Sequence, residues 1–213
     1  GEQMKYLGKP AGMWALFAGS FEKHLTVEFD LTAGQAKDVA ARAKKKYREI
    51  IAKLPEFDKR DRFEMNIVNC AMLAAFILCM PQRPDIKTLT DYYAAAMMTP
   101  TMKAFCRASG KKKFTPKDIE GMKATAKLRA GDRNPYSWNM DFFEYEDGSG
   151  YEARFTTCGI CTLMQVLGLY DLTPALCHLD YTMSDAGGAS DFVREYTLAS
   201  GGPYCDCGYH KKQ

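Results

Sequence analysis

The sequence predicts an α+β fold, an N-terminal helical bundle followed by a ββααββ antiparallel sheet unit, and three observations carry that expectation. Up to about residue 130 apolar residues recur at three- and four-residue spacing. Beyond it, two aromatic-rich alternating stretches flank Asp147-Gly148-Ser149-Gly150. Two further alternating stretches close the chain around Gly201-Gly202-Pro203. The first spacing marks a helix with one buried stripe, and alternation marks a strand with one buried face. Helices followed by strands, rather than interleaved with them, give an α+β arrangement. The only boundary signal falls near Gly131 to Pro135. It divides a helical region, 1–134, from an α+β region, 135–213, with the two packed as one unit.

Each element has its own signal. Lys5 to Ser20 holds lysines and then the short, glycine-broken stretch AGMWALFAGSF, which reads as a helix docking on the core rather than a targeting segment. Thr32 is placed to cap a helix bearing Val39, Ala43, Tyr47, Ile50, Ile51 and Leu54, and Pro55 stops it. Between about Lys59 and Met80 a second helix is apolar over most of its girth, so it is the expected buried centre, with Cys70 and Cys79 as core residues. Its apolar run, Ile67 to Met80, contains Asn69 and is too short for a bilayer core of about 30 Å.

Thr88 or Thr90 is placed to cap a third helix through Tyr92 and Tyr93, broken near Pro100 and resumed to about Arg107. In Thr115-Pro116-Lys117-Asp118 the threonine is a cap, the proline a first helical residue, and the aspartate an acid at the positive helix end. The preceding Lys111-Lys112-Lys113 reads as a solvated loop. Trp138 to Glu146 and Tyr151 to Thr157 then form a hairpin. Cys161 to Leu169 and Pro174 to Ala186 read as two helices, and Asp191 to Leu198 with Tyr204 to Tyr209 as a last strand pair.

Composition narrows the function. With 46% hydrophobic and 26% charged residues over 213 positions, the chain is of the globular rather than the disordered class. A net charge of +3, from 29 basic and 26 acidic residues, argues against a dedicated nucleic-acid surface. Eight cysteines in a helix-patterned chain of this length point to reduced thiols in a cytoplasm rather than a secreted disulfide scaffold.

Chemistry concentrates between Thr156 and His210, where five of the eight cysteines lie. On a helix, Cys177, Asp180, Tyr181 and Ser184 project to one side, Asp185 reaches its edge, and His178 points elsewhere. Cys158-Gly159-Ile160-Cys161 runs from a strand end into a helix N-terminus, where amides and dipole favour the thiolate needed for redox chemistry or metal ligation. Cys205 and Cys207 face the same side of a strand. Together with Cys177 these thiols admit a zinc site, although C-x-C is a poor substitute for a second C-x-x-C pair.

Three stretches together resemble the L-2-amino-thiazoline-4-carboxylic acid hydrolase family: Cys177, Asp180 and Tyr181 on a helix; Arg194, Thr197, Leu198, Ala199, Gly201 and Gly202; and Cys205 with Asp206 near the C-terminus. The family's usual tail reads Cys-Asp-Phe-Arg-Phe, where this chain has Cys205-Asp206-Cys207-Gly208-Tyr209. The resemblance implies a hydrolase with a small-molecule substrate; the near-balanced charge and the short apolar run give no nucleic-acid or membrane partner, and no cofactor is expected, with zinc an open alternative. The implied reaction adds water at C2 of the thiazoline, breaks the ring C–S bond and yields N-carbamoyl-cysteine. Set against the residues, Cys177 is the expected nucleophile and Cys205 the second in line. Asp180 and Asp206 would hold the amidinium or move protons. Arg194 would pair with the substrate carboxylate, with Thr197, Tyr181 and Asp185 completing the binding set. A zinc or redox thiol module, and a ligand-binding domain without turnover, stay open beside this reading.

Overall fold

The computed structural model describes residues 9–131 and 133–213. The opening residues of the expected N-terminal helix, and Asp132 within the expected boundary, fall outside them. Helix α1, Pro10–Glu28, starts on a proline and buries Met13, Phe17, Phe21 and Leu25, one residue per turn. Helix α2, Ala33–Ala52, begins with the Thr32 cap the sequence predicts. Gln35 N–H donates to the Thr32 hydroxyl at 3.1 Å, and Thr32 N–H donates back to the Gln35 side chain at 2.9 Å.

Helix α3, Glu64–Cys79, is the buried centre, with Ile67 through Ile77 continuously enclosed. It starts at Glu64 rather than near Lys59, with Asp61 placed just ahead of it. The Asp61 carboxylate accepts from Phe63 N–H at 2.9 Å and from the Ser137 hydroxyl at 2.6 Å, and pairs with Arg129 at 3.0 Å. Arg129 also donates to the Trp138 carbonyl at 2.9 Å. The Arg129 and Asp61 side chains are each 1% exposed, so this ion pair is an internal tie between the helices and the sheet.

Helix α4, Ile86–Met97, is capped by Asp85 and not by Thr88 or Thr90. The Asp85 carboxylate accepts from both N–H and hydroxyl of Thr88 at 2.8 Å, while Thr90 donates back to the Ile86 carbonyl within the helix. Pro100 opens α5, Pro100–Lys112, behind a Thr99 cap, so the proline begins a helix where the sequence suggested an interruption. Helix α6, Pro116–Arg129, has the expected Thr115 cap.

Lys113 is not solvated as the run of lysines suggested. Its Nζ lies 3.6 Å over the Tyr209 ring and donates to the Tyr151 hydroxyl at 3.1 Å, and that hydroxyl donates to Asp118 at 2.6 Å. Burial lowers its pKa to about 8, against the opposing pull of Asp118.

Four strands follow: β1, Asn139–Glu144; β2, Gly150–Thr157; β3, Ser190–Val193; and β4, Cys205–Lys211. They pair antiparallel in the order β1-β2-β4-β3. The link between β2 and β3 carries α7, Gly159–Val166; a 3₁₀ turn, Tyr170–Leu172; α8, Thr173–Cys177; and α9, Leu179–Gly187. The single helix expected from Pro174 to Ala186 is therefore divided at His178. Helix α6 packs on β1, α7 on α3, α8 on α4 and α9 on α5. One hydrophobic cluster joins Phe21, Phe76 and Tyr92 of the helices to Met140, Ala153 and Cys207 of the sheet. Among the described residues no helix is long and apolar enough to cross a membrane.

Helices α5 and α9 approach through glycines. A Cβ at Gly110 would stand 2.2 Å from the Gly187 carbonyl oxygen, and backbone cannot yield as a side-chain tip can. Gly110→Ala is expected to force the helices apart and cost about 1–3 kcal/mol in a urea titration. An unchanged midpoint would mean that the helices do not cross this closely.

Candidate functional site

The site is built where the chain leaves β3. Pairing of β3 with β4 stops at Val193 opposite Gly208. The Asp206 carboxylate then accepts from the N–H groups of Glu195 at 2.8 Å and Tyr196 at 2.7 Å. Those bonds hold residues 194–197 out of the sheet, so the strand expected to run on to Leu198 is short. The Thr197 hydroxyl accepts from Ser200 N–H at 3.2 Å and caps the next 3₁₀ turn, Leu198–Ser200.

Arg194 is the hub of this loop. Its guanidinium donates to the Asp180 carboxylate at 2.6 Å, the Cys177 carbonyl at 2.9 Å, the Asp206 carbonyl at 3.0 Å and the Cys207 sulfur at 2.9 Å. Its side chain is 8% exposed and that of Asp180 is 42% exposed, so the pair has a sealed cationic end and an open anionic end. Burial opposes the charge on Arg194, but Asp180 and Cys207 outweigh it and hold the guanidinium firmly protonated. Phe192 lies under the guanidinium at 4.8 Å, and Tyr181 packs edge-on against Phe192 at 4.7 Å and stacks on His178.

Besides Cys207, four more thiols gather around this pair. Cys177 is affected by Cys158 and Cys205 as well as by Asp180 and Arg194; burial dominates and pushes its pKa up to about 12. Burial likewise raises Cys205, whose sulfur accepts from Leu198 N–H at 3.1 Å. Cys158 and Cys161 interact directly, and the effect is asymmetric. Contact with Cys161 and burial raise Cys158 well above the usual thiol range, while contact with Cys158 lowers Cys161.

Of the residues singled out in the sequence, Cys177, Asp180, Arg194 and Cys205 come together. Asp206 does not join them by its side chain. Alternation on β4 puts its carboxylate on the sheet face opposite Cys205 and Cys207, where it braces the loop. Asp185 is exposed on α9, Tyr181 touches the site through Phe192, and Thr197 acts locally as a cap.

Residues not assigned to the site beforehand complete its inner wall. Tyr93 on α4 donates to Asn69 on α3, whose amide in turn donates to the sulfurs of Met97 at 3.1 Å and Met13 at 3.6 Å. Cys70 and Tyr93 interact, and both are within electrostatic reach of Asp180. The polar Asn69 inside an apolar run was the one signal for this wall. Among the described residues, no group of three or more His, Cys, Asp or Glu side chains is arranged to hold a metal ion. Two surface concavities, one at Glu56 to Arg60 and one of about 120 Å³ lined by Ile50, Leu54, Leu78, Tyr136, Leu163 and Val166, are lined by none of the site residues. The open side of the cluster is the half-exposed Asp180.

A family model described as L-2-amino-thiazoline-4-carboxylic acid hydrolase matches residues 64–209. The chain belongs to this family. No match was found among curated proteins or among solved structures. The part matched to the hydrolase family begins with α3, so it takes in Asn69, Cys70 and Tyr93 as well as the thiols, Asp180 and Arg194. Where the usual tail of these hydrolases has Phe and Arg, this member has Cys207 and Gly208. The Cys207 sulfur takes a bond from Arg194, and a Cβ at Gly208 would lie 2.6 Å from Val193 and 2.7 Å from the Tyr145 hydroxyl. Val193 and Tyr145 thus occupy the space that an arginine side chain would enter.

Proposed function

We propose that the protein hydrolytically opens a cyclic amidine that also carries a carboxylate, a 2-amino-thiazoline-4-carboxylate or a close analogue. The observation that supports this most is the Arg194–Asp180 pair beside Cys177, a cation and an anion 2.6 Å apart with the anion facing out. A substrate bearing an amidinium and a carboxylate exchanges one ion pair for two: Asp180 turns to the amidinium and Arg194 is released to the carboxylate. The sealed position of Arg194 orients the substrate, because only its anionic end can go inward.

The chemistry then follows from charge. Cys177 is protonated at neutral pH, but a bound amidinium beside it favours the thiolate, as any adjacent opposite charge does. The thiolate adds to C2, the C2–S ring bond breaks, and the thiol proton passes to the ring sulfur. Water adds to the resulting S-linked amidine carbon and expels Cys177, so one water enters and a carbamoyl group and a free thiol result. Asp206 acts by holding the 194–197 loop, and Cys205 is the second candidate nucleophile.

The test is release of a new thiol from the thiazoline by the purified, reduced protein. Turnover is expected to rise with pH across the neutral range, because the ionised fraction of Cys177 grows about tenfold per pH unit below its raised pKa. A flat profile would remove the thiolate step, and absence of thiol release would remove the proposal. Binding without turnover is the second reading, favoured by the four bonds that already occupy Arg194. It predicts a ligand that raises Tm and is recovered unchanged. Zinc found in stoichiometric amount and lost on cysteine substitution would displace the thiolate route in favour of a metal site.

A further inference from the structure

Cys158 and Cys161 are not needed by the hydrolysis above, yet their arrangement has a chemistry of its own. Cys158 is the N-cap of α7 and Cys161 lies in its first turn, with the Thr162 N–H bonded to the Cys158 carbonyl at 3.3 Å. An extended N-cap residue carries its side chain over the third residue of the helix, which here is Cys161, so the two thiols face one another across the first turn. The two thiols already interact, Cys158 buried and Cys161 partly exposed, so an outer and an inner sulfur are defined. The Tyr170 hydroxyl is a further hydrogen-bonding neighbour of Cys161. Gly159 lets the turn pack tightly: a Cβ there would stand 2.2 Å from the Tyr136 carbonyl oxygen. The other six cysteines include no second pair joined by a helical turn of this kind at an accessible helix start.

We infer that Cys158 and Cys161 form a reversible dithiol–disulfide site that exchanges with low-molecular-weight disulfides of the glutathione type, Cys161 being the attacking thiol. The Cys161 thiolate attacks one sulfur of the small disulfide, a mixed disulfide forms, and one small thiolate leaves. The Cys158 thiol then attacks the Cys161 sulfur, the second small thiol leaves, and the Cys158–Cys161 bond is made. Two electrons pass from the protein dithiol to the small disulfide, which is reduced to two thiols. The order follows from access, since the partly exposed Cys161 sulfur meets the small disulfide first and the buried Cys158 resolves the mixed disulfide from within.

The inference is tested on the full chain without any assay of turnover, so it stands or falls apart from the proposed hydrolysis. Fully reduced protein is exposed to iodoacetamide for short times, and separately to a glutathione redox buffer stepped from reduced to oxidised, followed by peptide mass mapping. Cys161 is expected to be alkylated at least about tenfold faster than Cys177 or Cys205. In the oxidised buffer the peptide carrying both residues should lose two hydrogens, and reduction should restore them. In Cys158→Ser, Cys161 should stop at the mixed disulfide with glutathione. Preferred alkylation of Cys177, a link between any other pair, or no link in the oxidised buffer would each overturn the assignment.

Discussion

Asp180→Asn is expected to lower kcat/KM for thiazoline ring opening by about a hundred- to ten-thousand-fold, and Cys177→Ser by at least as much. The two variants fail differently, which makes them informative together. Asparagine removes the carboxylate that pairs with Arg194, so the amidinium loses its counter-charge and ligand affinity falls along with turnover. The Cys177 contribution to the Arg194 network is made by its backbone carbonyl, which serine preserves. Cys177→Ser should therefore keep the ligand-induced rise in Tm while losing product formation. Full turnover in Cys177→Ser, and again in Cys205→Ser, would abolish the covalent step and leave an aspartate-activated water in its place.

The second large effect concerns stability. Arg129→Met is expected to cost about 3–5 kcal/mol, because it strands the Asp61 carboxylate among residues that water does not reach. Against a total stability of about 5–15 kcal/mol for a domain, that is a substantial share. Urea unfolding of the single variant measures the loss. The double variant Arg129→Met with Asp61→Leu should recover much of it, since a matched apolar pair removes the stranded charge. A single-variant loss below about 1 kcal/mol would show that water reaches the pair after all.

Most of the architecture was legible because it follows from periodicity. The Thr32 and Thr115 caps, the apolar girth of α3 and the hairpin turn at Asp147 to Gly150 are local signals that the structure obeys. The misreadings share a cause, competition for a residue by a partner distant in sequence or simply better placed. Asp85 outcompetes Thr88 for the start of α4 by bonding both of its donors. Lys113 looks solvated until Tyr151 and Tyr209 arrive from two strands to enclose it. The short β3 depends on Asp206, eleven residues away, reaching the amide of Glu195.

The site divides in the same way. That Cys177, Asp180 and Tyr181 lie close together follows from spacing, but the single helix expected to carry them is broken at His178, with Cys177 ending α8 and Asp180 and Tyr181 on α9. The contact of Arg194 with both segments does not, because it needs a loop that leaves the sheet. The separation of Asp206 from the thiols is implicit in strand alternation, since Cys205 and Cys207 share the other face. Asn69 and Tyr93 carried no such signal beyond one polar residue in an apolar run, and their hydrogen bond joins two helices whose packing no local pattern specifies.

The place of β4 inside the sheet, between β2 and β3, has a consequence for biosynthesis. As the polypeptide emerges from the ribosome, β2 can zip to β1 at once, but its other edge stays open until Cys205–Lys211 has been made. During that interval β2 presents unpaired amides and carbonyls that another nascent molecule could capture. The sulfur-bearing residues of β4 are also made after Arg194, so a product released between them would hold Arg194 without its Cys207 and Asp206 partners.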